Sequence, residues 1–193
     1  MKRYTLSFIA ATGLAGVIAA SAPPAGRTDR VDNPEGALSA AAPAALNAAA
    51  GAIDEGKLPA GYRDWRLISV AREEGDLDDI RAVLGNDPAI DAYRGGKTAY
   101  PDGTVIARLA WSFDASEENN RTFGRRQSFV AGHPKNGVQF MVKDQKKYAS
   151  TGGWKYAQFD DGKPLTDAAQ IQSCFECHQA VKDRDYVLTR YAK

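Results

Sequence analysis

Five consecutive residues near the end of the chain combine two thiols with an imidazole: Cys174, Phe175, Glu176, Cys177 and His178. This C-x-x-C-H spacing is the attachment signature of c-type haem. On a helix, positions 174, 177 and 178 fall on one face within a single turn. The two thiols can then add to the two vinyl groups of a porphyrin, with His178 as the proximal iron ligand. Because the chain has two cysteines in all, the sequence predicts one covalent haem c.

Three other uses of the cysteine pair compete with haem. A redox-active dithiol usually follows a strand in a βαβ unit, and no such pattern precedes Cys174. A zinc site needs four ligands, and beyond this motif only His133 could contribute a nitrogen or sulfur ligand of that kind. A structural disulfide would leave His178 without a role. Haem attachment accounts for all three residues together.

The sixth iron ligand, opposite His178, would decide between an electron carrier and a protein that binds small ligands at the iron. His133 and Met141 are the two residues able to be strong sixth ligands. His133 lies in the sequence His-Pro-Lys-Asn-Gly, which is typical of an exposed turn. Met141 lies in an apolar stretch, where a methionine usually packs in the core. We therefore expect an open distal site, with an electron carrier ligated by Met141 or His133 as the alternative.

The N-terminal segment predicts export. Residues 1–22 combine Lys2 and Arg3 with an apolar stretch from about residue 8 to 20 and small residues after it, the pattern of a cleaved signal peptide. The stretch is short and rich in Gly and Ala for a membrane anchor, so we expect no stable membrane insertion. Residues 23–52 form an Ala- and Pro-rich leader, and residues 53–193 form the mono-haem domain. The expected location is the periplasm, where c-type haem is attached.

Composition and charge narrow the function classes. The chain of 193 residues has 25 Lys and Arg against 24 Asp and Glu, a net charge of +1. Such a balance gives no electrostatic basis for binding nucleic acid. The apolar fraction of 44% is that of a folded globular protein.

Hydrophobic periodicity and turn residues predict an α+β fold, a small antiparallel sheet with flanking helices and a C-terminal haem-binding helix. A helix is expected within residues 38–50, another capped by Asp87 with Pro88 at its first position, and a third from 167 to 181 capped by Thr166. A turn is expected at residues 133–137 between two separate strands. The predicted strands are 67–71, 79–84, 104–112, 128–131, 138–142 and 154–159.

Several segments in this order, from about residue 56 to the C terminus, resemble the cytochrome P-460 family, which includes the beta-type cytochrome c-prime. They are LPAGYRDWRLISV, IRAVLGND, YPDGTVIARLAWS, VKDQKKYASTGGW and CFECHQAVKDRDYVLTRYA. The resemblance implies an antiparallel sheet with flanking helices, usually in a homodimer. It also implies one of two functions. Members with a lysine joined to the porphyrin edge oxidise hydroxylamine, and beta-type members keep an ordinary five-coordinate haem c that binds nitric oxide or other diatomics.

Two positions favour the beta-type branch. Where the family's cross-linking lysine follows the Asp-Gly-Thr turn, this sequence has Arg108. A guanidinium stays protonated and is a poor nucleophile, so it cannot replace the lysine amine. The distal carboxylate of the hydroxylamine-oxidising members aligns near Gln139, whose amide can donate a hydrogen bond but cannot transfer a proton. Because the alignment crosses a length difference there, Phe140 and Met141 are alternative distal residues.

The sequence therefore predicts a mono-haem cytochrome that binds nitric oxide or another small diatomic, with electron transfer to a periplasmic redox partner as a further role. Oxidation of hydroxylamine or nitric oxide at a cross-linked haem is the alternative. Arg108 interrupts an apolar strand, so it either pairs with a haem propionate or distal ligand or extends to solvent. Three lysines are other possible sources of a cross-link to the haem: Lys97, Lys135 and Lys143. Phe123 and Phe129 are candidates for a lid over the distal site.

Overall fold

The computed structural model describes residues 48–192. One antiparallel sheet contains six strands, which are neighbours in the order in which they follow along the chain. The strands are β1 (Arg66–Glu73), β2 (Asp79–Gly85), β3 (Val105–Ala115), β4 (Phe129–Lys143), β5 (Trp154–Asp160) and β6 (Lys163–Pro164). The helices are α1 (48–54), α2 (Asp87–Arg94), α3 (Glu117–Phe123) and α4 (Ala168–His178). The predicted α+β class, with its C-terminal helix, is confirmed.

The two faces of the sheet bury two separate clusters, because side chains alternate along each strand. On one face, Val105, Phe140 and Phe159 pack with Ile53 of α1. On the other face, which we call the site face, Ile106, Met141, Tyr156 and Phe175 pack with residues of α2, α4 and the C-terminal segment. Helix α4 is therefore held against the site face by burial of Phe175.

The predicted signal peptide and most of the predicted leader lie outside the described residues. Helix α1 begins at or before residue 48, where the description starts, so the rest of the helix predicted within 38–50 lies outside it as well. Helix α1 spans the expected boundary between residues 52 and 53. Ile53, 2% exposed, packs against the sheet from this helix.

The start of α2 corrects one prediction, because Asn86 rather than Asp87 is its N-cap. The Asn86 side-chain oxygen accepts hydrogen bonds from the backbone N–H of Ala89 (3.3 Å) and of Val105 (3.0 Å), and its amide donates to the carbonyl of Gly103 (2.8 Å). Pro88 is therefore the second helical residue and not the predicted first, although it still lies in the first turn. The Asn86 side chain thus provides hydrogen-bond partners for backbone groups at the start of α2 and at the start of β3.

The two strands predicted around residues 133–137 are one strand, β4. Asn136 and Gly137 both have positive φ (59° and 57°), as the predicted turn required. The chain nevertheless continues along β3, with register irregularities between Leu109 and Phe113. A Cβ at Gly137 would lie 1.9 Å from the carbonyl oxygen of Phe159, so only glycine permits this close approach of β5.

The end of the chain also differs from prediction in detail. The cap of α4 is Asp167, whose carboxylate accepts from the N–H groups of Ala169 (2.9 Å) and Gln170 (3.1 Å), and not Thr166. The α-helix ends at His178, and the chain continues as a 3-10 helix over Gln179–Arg184. Within residues 48–192 no helix combines the length and the apolar character needed to cross a bilayer.

Candidate haem site

The C-x-x-C-H motif lies in the last turns of α4, as its spacing requires for haem attachment. Cys174 is partly buried, Cys177 is exposed, and no disulfide joins them. Burial raises the pKa of the Cys174 thiol, and Cys177 adds to that effect. Redox dithiols instead have a lowered pKa and often begin a helix. The position of the pair at a helix C terminus thus disfavours the dithiol alternative.

His178 has a defined orientation. Its Nδ1 lies 2.6 Å from the carbonyl oxygen of Tyr186, which can only accept a hydrogen bond, so Nδ1 carries the proton. Burial lowers the pKa of His178, although this hydrogen bond opposes the effect. The imidazole is therefore neutral at physiological pH and leaves the Nε2 lone pair free for a metal.

A cavity of about 240 Å³ lies between α4 and the site face, and we call it the α4 cavity. Its lining combines the C-x-x-C-H motif with mostly apolar residues and with several polar side chains, among them Arg81, Arg108 and Gln139. The lining includes Leu77, Arg81, Val83, Ile106, Arg108, Asn136, Gln139, Phe140, Met141, Tyr156, Cys174, Cys177, His178, Leu188 and Thr189. The cavity thus brings the predicted proximal residues Cys174, Cys177 and His178 to the same space as Arg108, Gln139 and Met141.

Arg108 is fixed in the wall of the α4 cavity by Gln139, a predicted distal residue, and by Asp79, which the sequence did not point to. Its Nη2 donates to Asp79 (2.5 Å) and its Nη1 to the side-chain oxygen of Gln139 (2.8 Å). Burial lowers the pKa of Arg108, with Arg81 adding to the effect and Asp79 opposing it. Asp79 is fully buried, and it also accepts two hydrogen bonds from Arg81 (2.9 and 3.0 Å). Arg108 therefore does not extend to solvent.

The other three predicted distal residues differ in how they meet the cavity. The Gln139 amide donates to Gln158 (2.8 Å), so its oxygen and its nitrogen are both engaged. Met141 packs on the site face. Phe140 borders the cavity, but its ring packs edge-on against Phe159 in the cluster of the opposite face.

Tyr156 is the principal wall residue that sequence reasoning missed, since it read as an ordinary core aromatic. Its ring centroid lies 5.1 Å from that of His178, and its buried hydroxyl has no hydrogen-bond partner within residues 48–192. Burial is the main cause that raises the Tyr156 pKa, so the hydroxyl stays protonated and can donate. Alternation on β5 places Tyr156 on the same face as buried Trp154, and this was the available signal.

Of the remaining predicted residues, one lies near the cavity and the others lie away from it. Lys135 donates to the carbonyls of Leu77 (2.7 Å) and Asp78 (2.9 Å), and Leu77 lines the cavity rim. Lys143 is buried in an ion pair with Asp185 (2.6 Å). Lys135 itself is not among the lining residues, and neither are Lys97, Lys143, His133, Phe123 and Phe129.

The donor set fits a haem. Two thiols and an oriented neutral imidazole line a largely apolar cavity, and Tyr156 of the same wall has a buried hydroxyl without a partner among the described residues. Among the described residues, no cluster of three or more His, Cys, Asp or Glu side chains forms a candidate metal site of another kind.

An α+β fold with a C-terminal C-x-x-C-H helix against one sheet face defines a haem-binding class of protein. The family model described as Cytochrome P460 matches residues 59–189, which includes the whole sheet and α4. The chain belongs to the cytochrome P460 family, and membership implies haem binding. A search of curated proteins returned no significant match.

Proposed function

We propose that this protein is an exported mono-haem cytochrome whose open distal site binds nitric oxide or another small diatomic. The haem is attached through Cys174 and Cys177, with His178 as the proximal ligand. The observation that carries the proposal is the wall of the α4 cavity, which is largely apolar and has Arg108 rather than an amine on β3. No lysine of residues 48–192 is among the residues lining that cavity.

Two features of the wall support a ligand-binding role over electron transfer alone. His133 is exposed on β4 and lies outside the lining. Met141 is 9% exposed and packed on the site face, where its neighbours explain its burial without a metal bond. Neither residue is positioned as an evident sixth ligand, and this supports an open coordination position.

Ferrous haem iron supplies the electron-rich centre that binds diatomics. The residues of the chain set what surrounds that centre. Apolar Val83 and Ile106 exclude water from the cavity, and the protonated Tyr156 hydroxyl is available to donate a hydrogen bond. Gln139 and Arg108 are hydrogen-bonded to each other. Neither an amide nor a guanidinium is a carboxylate, so neither side chain can accept a proton from a substrate as a general base would.

The test is the absorption spectrum of the purified ferrous holoprotein before and after addition of nitric oxide. We expect a normal haem c Soret band that shifts with the gas, and retention of haem after acid–acetone extraction. Met141→Ala and His133→Ala should leave the ferric and ferrous spectra unchanged. A low-spin six-coordinate ferric spectrum that Met141→Ala abolishes would contradict the open site and favour an electron carrier.

A second function, oxidation of hydroxylamine or nitric oxide at a cross-linked haem, is favoured by one observation. Lys135 lies beside Asn136, which lines the α4 cavity, and its amine reaches the carbonyl of Leu77 on the rim. That amine already donates to two carbonyls, which opposes its use as a nucleophile. A third covalent link, seen as a Lys135 peptide joined to porphyrin by mass spectrometry, would establish this alternative, together with a red-shifted ferrous Soret band.

We also propose a periplasmic location, a homodimer and a periplasmic redox partner. Export rests on the signal-like residues 1–22. Association has support in exposed apolar side chains on the edge strand β1, Leu67 (51% exposed) and Val70 (61%). N-terminal sequencing of the cell-fractionated protein tests export, and light scattering tests the dimer. A cytoplasmic protein that keeps residues 1–22, or a monomer at high concentration, would contradict these points.

A further inference from the structure

We infer that Asp185 is a positioning residue for His178, and that it does so by fixing the backbone carbonyl to which the imidazole donates. The inference rests on the proposed role of His178 as the iron ligand. Asp185 does not contact the α4 cavity. Its effect passes through the turn formed by Asp185 and Tyr186, which we call the 185–186 turn.

The 185–186 turn has an unfavourable backbone conformation. Asp185 (φ 51°, ψ 41°) and Tyr186 (φ 63°) are consecutive residues in the left-handed region, and neither is glycine. Such residues cost about 1 kcal/mol or more each, and they persist where surrounding contacts determine them. The turn therefore needs an external hold. Its importance is local, because the Tyr186 carbonyl is the acceptor for His178 Nδ1 at 2.6 Å.

The Asp185 carboxylate supplies that hold with three hydrogen bonds. Its Oδ1 accepts from Lys143 Nζ (2.6 Å) and from the Trp154 indole (3.3 Å), and its Oδ2 accepts from the backbone N–H of Tyr100 (2.9 Å). Lys143 and Trp154 belong to neighbouring strands β4 and β5, so the anchor belongs to the rigid sheet. Charge-assisted hydrogen bonds of this kind are the stronger class.

Lys143 is a buried lysine whose ammonium group completes this anchor. It is 4% exposed, its ammonium also donates to the Gly152 carbonyl (3.1 Å), and it lies 4.9 Å from the centre of the Trp154 ring. A buried ammonium needs such compensation. The Tyr186 ring packs so close to Gly152 that a Cβ there would lie 2.2 Å from it. Strands β4 and β5 thus hold Asp185, and the connection between the same two strands holds Tyr186 through Gly152.

The consequence concerns the iron. A hydrogen bond from Nδ1 raises the basicity of an axial imidazole and fixes its rotation, which stabilises the ferric state. Loss of the anchor lets the Tyr186 carbonyl move, so the imidazole becomes a weaker donor. We therefore expect Asp185→Ala to raise the reduction potential of the haem and to lower the Fe–His stretching frequency of the ferrous protein.

The experiment compares variants of the holoprotein by resonance Raman spectroscopy and potentiometry, well below the melting temperature. Asp185→Ala should shift both quantities. Asp185→Asn should shift them less, because its side-chain oxygen can still accept from Tyr100 and Asn tolerates positive φ. Two control variants should lower stability at most and shift neither the potential nor the Fe–His frequency. Asp183→Ala removes an exposed carboxylate from the 3-10 helix that precedes Asp185, and Ile90→Val trims the core cluster that contains Trp154.

Unchanged potential and Fe–His frequency in folded Asp185→Ala would overturn the inference. Equal shifts in Ile90→Val would also overturn it, because general loosening would then be the cause. Lys143→Met gives a second route if Asp185→Ala fails to fold, and it should shift both quantities in the same direction. A protein without covalent haem would instead overturn the proposed function, and an extraction assay on the unaltered chain detects that outcome first.

Discussion

A single buried carboxylate determines the charge pattern of the cavity wall. Asp79 is fully buried, and the side chains of Arg81 and Arg108 around it are 15% and 18% exposed. Two guanidinium groups confined so close together repel each other unless an anion lies between them. Asp79 is that anion, so it holds Arg108 in the wall of the α4 cavity.

At the residue scale, Asp79→Asn should therefore be strongly destabilising. The substitution keeps the shape but leaves both arginines without a buried counter-charge, and breaking such a pair costs about 3 kcal/mol or more. Urea unfolding of the holoprotein at neutral pH measures this loss. The ligand-binding spectrum should change too, because Arg108 would lose one of its two anchors.

The matched control is the adjacent carboxylate. Asp78 is 64% exposed and pairs with Arg72, so Asp78→Asn should change the free energy of unfolding by about 0.5 kcal/mol or less. Its positive φ of 36° is compatible with asparagine. Similar losses for the two variants would show that the arginines find other partners and that Asp79 is not essential to the wall.

At the scale of elements, α1 is attached to the sheet by one acidic residue as well as by Ile53. Asp54 accepts hydrogen bonds from Lys147, from Tyr148 (2.5 Å) and from Lys155 (2.8 Å). Partial burial opposes ionisation, but these donors outweigh it and lower the Asp54 pKa from 3.8 to about 2. The ionised carboxylate is thus the form that favours the docked helix.

The stabilisation from Asp54 should depend on pH in a defined direction. Because its pKa is lowered on folding, the contribution is fully present above about pH 4 and is lost as the pH falls towards 2. Asp54→Asn should cost about 1 to 2 kcal/mol at pH 7, and thermal unfolding should show the difference shrinking below pH 4. Glu55→Gln, at an exposed neighbour that pairs with Lys57, should have a much smaller effect. A pH-independent difference would mean that Asp54 acts through packing alone.

Local sequence signals placed the elements well but failed where distant contacts decide. Asp87 and Asn86 are both good N-caps, and the choice between them depends on β3, because Asn86 also binds Gly103 and Val105. The Asn136-Gly137 pair has the turn conformation that the sequence predicted. It does not reverse the chain, because pairing with β3 continues on both sides of it.

The same distinction applies to the whole molecule. The C-x-x-C-H motif is local, since Cys174, Cys177 and His178 share one helix, and its spacing alone predicted that they lie together. The opposite wall is assembled across strands, and neither the Asp79–Arg108 pair nor the unpartnered Tyr156 hydroxyl has a spacing signal. Register between strands is set by the complete pattern of packing, which a single chain segment does not reveal.

The C-terminal segment connects the site to the rest of the fold after α4. The Tyr93 hydroxyl donates to the carbonyl of Thr189 (3.2 Å), and the N–H of Ala192 donates to the carbonyl of Ile68 on β1 (2.9 Å). The ring of Tyr191 stacks on that of Tyr93 at 6.1 Å. Leu188 and Thr189, earlier in the same segment, line the α4 cavity. The last residues of the chain thus fasten one wall of the cavity to α2 and β1.

Removal of residues 190–193 should therefore loosen both the fold and the cavity. Loss of the partly buried Tyr191 ring and of the pairing with β1 should lower the free energy of unfolding by about 2 kcal/mol. Leu188 and Thr189 would keep the Tyr93 hydrogen bond but lose the attachment to β1, so they should move more and admit water. Ferricyanide should therefore oxidise the ferrous protein faster. Thermal unfolding and stopped-flow absorbance measure the two effects. Removal of Lys193 alone is the matched control and should change neither, whereas a faster oxidation rate without loss of stability would show that the segment acts as a cover for the cavity and not as part of the core.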